Sequence, residues 1–394
     1  MDGVKTVSIL GATGSVGRST VDLILSTPEK FSVQAVTCNR NVELLAEQAI
    51  KLNAKLAVAA DPAVYADLKQ KLSGTNIEAA VGPDALLTAA THPAEWIMAA
   101  IVGMAGLPSI MKAIEQGGCV AIANKEPLVA AGPFVIAAAK KAGTTLLPVD
   151  SEHNAIFQVF DHDRPAGIEK IILTASGGPF LNTPMADLEN ITPAQAVAHP
   201  NWSMGTKISV DSATMMNKAL EIIEAHYLFN MAPEKIDVMV HPQSIVHSMV
   251  EYADGSVLAQ MGAPDMRTPI AHTLAWPQRM PTTGQKLDFS KGLQMDFQPV
   301  DEKQFPAIPL AYECLKRGPS ACVAMNAANE VMVDVFLNNK TPFLEIVKTV
   351  RSIVESEMEK RFASVSDIIE YDGHVRERTK SGITTGHINV KKAG

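Results

Sequence analysis

Seven residues near the start of the chain, Gly11-Ala12-Thr13-Gly14-Ser15-Val16-Gly17, restrict its fold more than any others. They lie between an apolar run at 4–10 and a helical pattern at 18–25. Glycines at this spacing let the backbone turn tightly, and a helix that starts there offers free N–H groups to a pyrophosphate. The spacing Gly-x-x-Gly-x-x-Gly departs from the more familiar Gly-x-Gly-x-x-Gly, and a plain glycine-rich turn is the competing reading. Position favours the dinucleotide, because the loop opens a series in which short β-branched runs at 33–37, 56–59, 96–100, 119–122 and 145–148 alternate with helical segments. That rhythm predicts an α/β chain with a Rossmann-like parallel-sheet domain over 1–149 and ligands beyond the C-terminal ends of its strands.

The second strand should end at Thr37-Cys38-Asn39-Arg40-Asn41, where an NAD enzyme usually places an acid on the ribose 2′-hydroxyl. No acid stands there. Arg40 can pair with a 2′-phosphate instead, which favours NADPH over NADH, the bland alternative being a solvated turn arginine.

A chain of 394 residues is too long for one core, and its texture changes after the sheet. We expect a central α+β domain at 150–276, a Pro-rich linker at 277–309, and a C-terminal α-helical bundle at 310–394 with helices at 310–317, 320–337 and 344–361. A net charge of −8 supplies no basic field for nucleic acid or an anionic membrane. The four cysteines form no CxxC pair, and no apolar stretch reads as a signal peptide or bilayer span, so a cytoplasmic protein with no nucleic-acid or membrane partner is expected.

Asp150 and Glu152 leave an apolar strand two residues apart, so extended backbone would turn both to one side. Paired carboxylates suit a hard divalent ion such as Mg2+ or Mn2+. A third carboxylate could come from Glu221, whose helix carries Asn217 and Lys218 on the same face and has Asp211 or Ser212 as its expected N-cap. A Lys218–Glu221 surface pair is the competing reading of that helix.

Three further segments bear on the choice. Ser176 sits where a strand breaks into Ser176-Gly177-Gly178 and can close on an anion with Ser212, Asn217 and Lys218. His199-Pro200-Asn201-Trp202-Ser203-Met204-Gly205 has the make-up of a lid, or alternatively of a loop whose Trp202 plugs the core. Asn124-Lys125-Glu126 follows an apolar strand at its ligand-binding end. His241 and His247 read as satisfied strand-end histidines, and Asn326, Asn329 and Glu330 as packing or docking residues. No Ser-His-Asp triad can be defended from the sequence, and no HExxH motif is present. Residue chemistry alone leaves open a reductase without rearrangement, or a nucleotide-sensing protein that has lost catalysis.

Leu146 to Gln158, Leu173 to Phe180, His199 to Glu221 and His241 to Met249, with the Asn326 to Glu330 string, resemble the 1-deoxy-D-xylulose 5-phosphate reductoisomerase family, and the likeness spans essentially the whole chain. The resemblance implies a cytoplasmic homodimer of the non-mevalonate isoprenoid pathway that uses NADPH and a divalent metal on a small phosphosugar. It implies Asp150, Glu152 and Glu221 as metal ligands that, with Lys125, carry the chemistry, and Lys125 and Ser151 as substrate contacts beside the metal. Ser176, Ser212, Asn217 and Lys218 would hold the phosphate, with His199 and Trp202 on the flap. Thr13, Gly14, Ser15, Val16, Asn39, Arg40, Asn41, Asn124, Glu126 and Gly205 would line the NADPH site. Asn39 departs from the family, where a glycine is expected, and 160–170 is shorter than in some relatives.

Overall fold

The computed structural model describes residues 3–198, 202 and 205–384. The chain forms two compact units. One comprises Met1–Pro127, Val135–Asn154 and Asp265–Lys286, the other Leu128–Phe134, Ala155–Pro264 and Leu287–Gly394.

In the first unit seven parallel strands form one sheet: β1 (Lys5–Leu10), β2 (Phe31–Cys38), β3 (Leu56–Ala59), β4 (Glu78–Val81), β5 (Trp96–Ala99), β6 (Cys119–Ile122) and β7 (Thr145–Pro148). Their order is β4-β3-β2-β1-β5-β6-β7. Val7, Ile9, Ala35, Val36, Ala57, Val58, Trp96, Ile97 and Met98 are buried, as expected for strands with helices on both faces. Strand β4 was not anticipated, because its Glu-Ala-Ala-Val run sits half-exposed at the sheet edge and lacks a strong apolar signature. Strand order reverses between β1 and β5, which opens a crevice at their C-terminal ends. The helix Arg267–Ala275 belongs to this unit although it lies far along the chain: the Lys5 ammonium donates to the Leu274 carbonyl at 2.9 Å, and Ile270 and Leu274 are buried.

The second unit holds a mixed sheet of β8 (Ile168–Ala175), β9 (Ile236–Val240), β10 (Val246–Tyr252), β11 (Val257–Met261) and β12 (Gln298–Pro299) in the order β11-β10-β8-β9-β12. Among the described residues of this sheet only β8 and β9 pair in parallel, and the connection between them carries the helices Thr206–Ala213 and Met216–Phe229. That crossover puts both helices beside the C-terminal end of β8. β11 and β12 were not foreseen: the former is a half-exposed edge and the latter only two residues long.

Four helices, Ala307–Arg317, Pro319–Leu337, Glu345–Ser356 and Val365–Thr384, complete the unit. Pro319–Leu337 is apolar and long enough to cross a bilayer by composition, yet 78% of that stretch is buried as the bundle's central helix. The helix expected at 344–361 stops at Ser356, because Glu357 turns extended and is pinned by Arg317, Tyr371 and Arg378.

Candidate functional site

β1 runs into the glycine loop and the helix Ser15–Ser26 follows at once. Gly11 adopts φ +94°, and a Cβ there would meet the Ala100 carbonyl oxygen at 2.5 Å. At Gly17 a Cβ would lie 2.2 Å from the Gly11 carbonyl oxygen. Both glycines are therefore required by close backbone approach at the point where strand order reverses. Two polar side chains that sequence reasoning passed over hold the loop: Thr37 Oγ1 accepts from Gly11 N at 2.9 Å, and Gln48 Nε2 donates to the Ala12 carbonyl at 3.1 Å. Their signal was a polar residue at a buried position of β2 and of the following helix. Thr13 and Val16 are half-buried, while Gly14 and Ser15 stand exposed at the tip with the helix N-terminus behind them.

At the end of β2, Asn39, Arg40 and Asn41 are all exposed. Arg40 Nε pairs with Asp61 Oδ2 at 2.7 Å, yet its side chain remains 69% exposed and its charge accessible. Asn41 caps the helix Val42–Lys51 by accepting from Leu44 N at 3.2 Å. Asn39 is absent from the residues with positive φ, so its backbone conformation does not demand the glycine expected there.

Beyond β6, Asn124 donates to the Ile101 carbonyl, and Lys125 and Glu126 open the helix Glu126–Ala142 with both side chains buried. Lys125 Nζ meets Asp150 Oδ2 at 2.7 Å. Burial opposes ionisation of Asp150, but the Lys125 charge and the His153 ring, 3.3 Å from Oδ1, hold its carboxyl well below the usual carboxylate range. The expected geometry needs correction here. β7 ends at Pro148, and Asp150 and Glu152 are not successive same-side residues of a strand; they flank the start of the helix Ser151–Val159, where Asp150 Oδ1 accepts from Glu152 N at 3.3 Å. Short polar side chains at helix starts compete for the free N–H groups, and Asp150 does so. Ser151 Oγ donates to Glu152 Oε2 at 2.7 Å. The result is a cluster of carboxyl groups beside the buried Lys125 at the ligand-binding end of the sheet.

In the second unit, Ser176 follows β8, and its Oγ accepts from Gly178 N at 3.1 Å. A Cβ on Gly178, at φ +68°, would stand 2.7 Å from the Ser212 carbonyl oxygen, so this loop lies directly on the helix that bears Ser212. Asp211 and Ser212 are not the N-cap of the helix carrying Glu221. They end a separate helix, Thr206–Ala213, and Met215 at φ +59° is the N-cap of Met216–Phe229. Thr214 makes the break favourable: its hydroxyl donates to the Val210 carbonyl and accepts from Met216 N. Asn217 Nδ2 and Lys218 Nζ both donate to the Glu221 carboxylate, which is fully buried. A surface pair is thereby ruled out, since Lys218 is 4% exposed. Ser212 and Asn217 are half-buried and reachable. Trp202 packs its ring 6.0 Å from that of His247, whose pKa burial lowers to about 4, and Gly205 caps the helix Thr206–Ala213. His199 lies outside the described residues.

Comparison with known proteins agrees along the chain. Family models described as 1-deoxy-D-xylulose 5-phosphate reductoisomerase match residues 7–132, and models of its C-terminal domains match 146–229 and 261–378. The reductoisomerase of Zymomonas mobilis is 54% identical over 372 residues, covering 94% of this chain and 96% of that protein. That of Rhodospirillum centenum is 51% identical over 385 residues, covering 98% and 96%. The solved Zymomonas mobilis enzyme in complex with NADPH superposes with a TM-score of 0.92 at 52% identity, covering 96% of this chain and 99% of that one. A reductoisomerase solved with NADPH, fosmidomycin and magnesium gives 0.93 at 40% identity, covering 97% and 98%. The chain belongs to the 1-deoxy-D-xylulose 5-phosphate reductoisomerase family.

Proposed function

We propose that this chain converts 1-deoxy-D-xylulose 5-phosphate into 2-C-methyl-D-erythritol 4-phosphate, with NADPH as reductant and a divalent metal, Mg2+ or Mn2+, as electrophile, in the non-mevalonate isoprenoid pathway. The observation that carries the reading is Asp150 kept ionised beside Glu152 at the mouth of a dinucleotide-type sheet, in a chain more than half identical to a named reductoisomerase. An ionised Asp150 with the carboxyl groups of Glu152 and the buried Glu221 is the oxygen-rich donor set that a hard cation takes.

Asp150, Glu152 and Glu221 hold the ion, which when bound polarises the adjacent carbonyl and hydroxyl oxygens of the substrate for carbon-skeleton rearrangement. NADPH lies along Thr13, Gly14, Ser15 and Val16, and supplies hydride to the aldehyde. Arg40, between Asn39 and Asn41, takes the 2′-phosphate; Asn124, Glu126 and Gly205 complete the cofactor contacts. Lys125 and Ser151 orient the reacting end of the substrate. Ser176, Ser212, Asn217 and Lys218 bind the phosphate, and the flap bearing His199 and Trp202 closes over it to exclude water, so that remote binding energy positions the carbonyl. Functionally, 1–149 serves the dinucleotide, 150–276 the metal and substrate, and 310–394 is a helical scaffold joined by 277–309. The enzyme works as a cytoplasmic homodimer.

The test is NADPH oxidation at 340 nm with deoxyxylulose phosphate, before and after chelation and after adding back Mg2+ or Mn2+. Turnover that is lost to chelator and regained with metal is expected. Equal activity in chelator would point to a simple reductase, and NADPH binding without oxidation to a sensor.

A further inference from the structure

The helix Thr206–Ala213 carries Ser212 on its half-buried side and Asp211 on the side turned inward; adjacent helical residues stand about 100° apart. Asp211 is 1% exposed, and it is held from two directions. Lys207, one turn back, reaches Oδ2 at 2.8 Å. Asn329, from the central bundle helix Pro319–Leu337, donates Nδ2 to Oδ1 at 2.8 Å.

Asn329 is fully buried in a helix otherwise rich in apolar residues, and its own carbonyl oxygen finds no hydrogen-bond partner among the described residues. An amide retained there with its oxygen unpaired is a poor choice for packing alone, where leucine would serve. Its neighbours fix its position: Asn326 donates to Glu330 at 3.2 Å, and Glu330 is gripped by Arg376 of the last helix at 2.8 Å, which also binds Asp372. On the opposite side Gly178, in the Ser176 loop, approaches so closely that a Cβ there would stand 2.7 Å from the Ser212 carbonyl oxygen. The placement of this one helix therefore sets the gap between Ser176 and Ser212.

We propose that Asn329 and Asp211 are positioning residues for phosphate recognition, through which the C-terminal bundle fixes Ser212 against the Ser176 loop. The inference rests on the reading of those serines as phosphate ligands. A buried carboxylate deprived of the amide moves toward Lys207 and water, and Ser212 turns with it.

The experiment compares wild type with Asn329→Leu, Asn329→Ser and the reversed pair Asp211→Asn/Asn329→Asp. It reads the substrate KM and kcat, the inhibition constant of inorganic phosphate, the NADPH Kd by fluorescence, and the unfolding midpoint. Asn329→Leu should raise both the KM and the phosphate constant about tenfold, with the NADPH Kd within about twofold, and the reversed pair should recover most of the loss. If Asn329→Leu does not fold, Asn329→Ser, with a shorter donor, should show the same split at smaller size. Unchanged phosphate recognition in a folded variant, or NADPH and substrate binding weakening together, overturns the proposal. Absence of wild-type turnover would sink the reading of function instead; the rise in unfolding midpoint that phosphate produces in wild type, and its loss in Asn329→Leu, then decides this inference alone.

Discussion

A buried carboxylate is costly unless its charge is met, and Asp150 shows how this chain meets it. Lys125 is rooted at the end of one strand and Asp150 at the end of the next, so the sheet itself holds the pair at 2.7 Å. Glu152 can then serve as a second anionic ligand, its carboxylate receiving the Ser151 hydroxyl. Glu152→Gln keeps that acceptor and the side-chain shape but removes the charge. We expect turnover to fall about a hundredfold or more, partly restored by excess metal, with NADPH affinity within about twofold of wild type. Turnover at the wild-type rate without added metal would refute the ligand role.

His272 tests a different consequence of burial. It lies in the first unit, where Asn154 Nδ2 approaches its Nδ1 at 3.1 Å, and burial followed by the nearby Arg279 charge lowers its pKa to about 4. The ordinary histidine value is 6.5. Between those pH values the unfolded chain holds the proton and the folded chain does not. Stability therefore falls as pH drops from 6.5 toward 4, by about 1.4 kcal/mol per pH unit for the one proton involved. His272→Asn keeps an acceptor for Asn154 and cannot titrate. Denaturant unfolding across this range should give a shallower slope for the variant, and parallel slopes would contradict the assignment.

At the scale of elements, the glycine loop is a contact between backbones. Gly17→Ala would drive a methyl into the Gly11 carbonyl and Ala12 Cα, at 2.2 and 2.6 Å, so the helix Ser15–Ser26 must shift away from β1. We expect a loss of about 1–3 kcal/mol of stability. NADPH affinity should fall about tenfold or more, because the N–H groups proposed to receive the pyrophosphate move with the helix. Calorimetry of unfolding and fluorescence titration would measure both, and unaltered NADPH binding would count against the loop as the cofactor site.

This contact was legible in the sequence because glycine spacing reports backbone geometry directly, as the alternation of apolar runs reports the buried strands β1, β2, β3, β5, β6 and β7. What stayed hidden depends on tertiary context. Edge strands β4 and β11 bury too little to leave a pattern, and Glu357 ends its helix through partners up to 40 residues away. Asp211 resembles any N-cap until the left-handed Met215 splits one apparent helix in two. The i, i+3 and i+4 spacing of Lys218 and Asn217 to Glu221 was readable for the opposite reason: helix geometry alone fixes it.

For the molecule as a whole, compact units and contiguous segments do not coincide. The dinucleotide unit is assembled from three stretches of chain, the last of them Asp265–Lys286. That stretch brings the helix Arg267–Ala275, whose Ile270, Leu274 and Ala275 are buried, whose Leu274 carbonyl receives Lys5, and whose Arg267 lies 3.7 Å from Asp22 on the helix that follows the glycine loop. A fragment ending at residue 154 would contain every strand of the sheet and the whole glycine loop, and so looks sufficient by sequence. It would nonetheless expose the apolar surface those side chains cover, at about 1.5–3 kcal/mol for each of Ile270 and Leu274, a large share of the stability of a domain this size. The helix Ser15–Ser26 would lose its neighbour on the same side. We therefore expect fragment 1–154 to bind NADPH at least about tenfold more weakly than the full chain, and the same fragment joined through a flexible linker to 265–286 to recover most of that affinity. Circular dichroism and NADPH fluorescence on the two fragments distinguish the cases. Equal, full affinity in both would mean that the late helix is dispensable to the dinucleotide unit, and that β1 and its loop are held by the sheet alone.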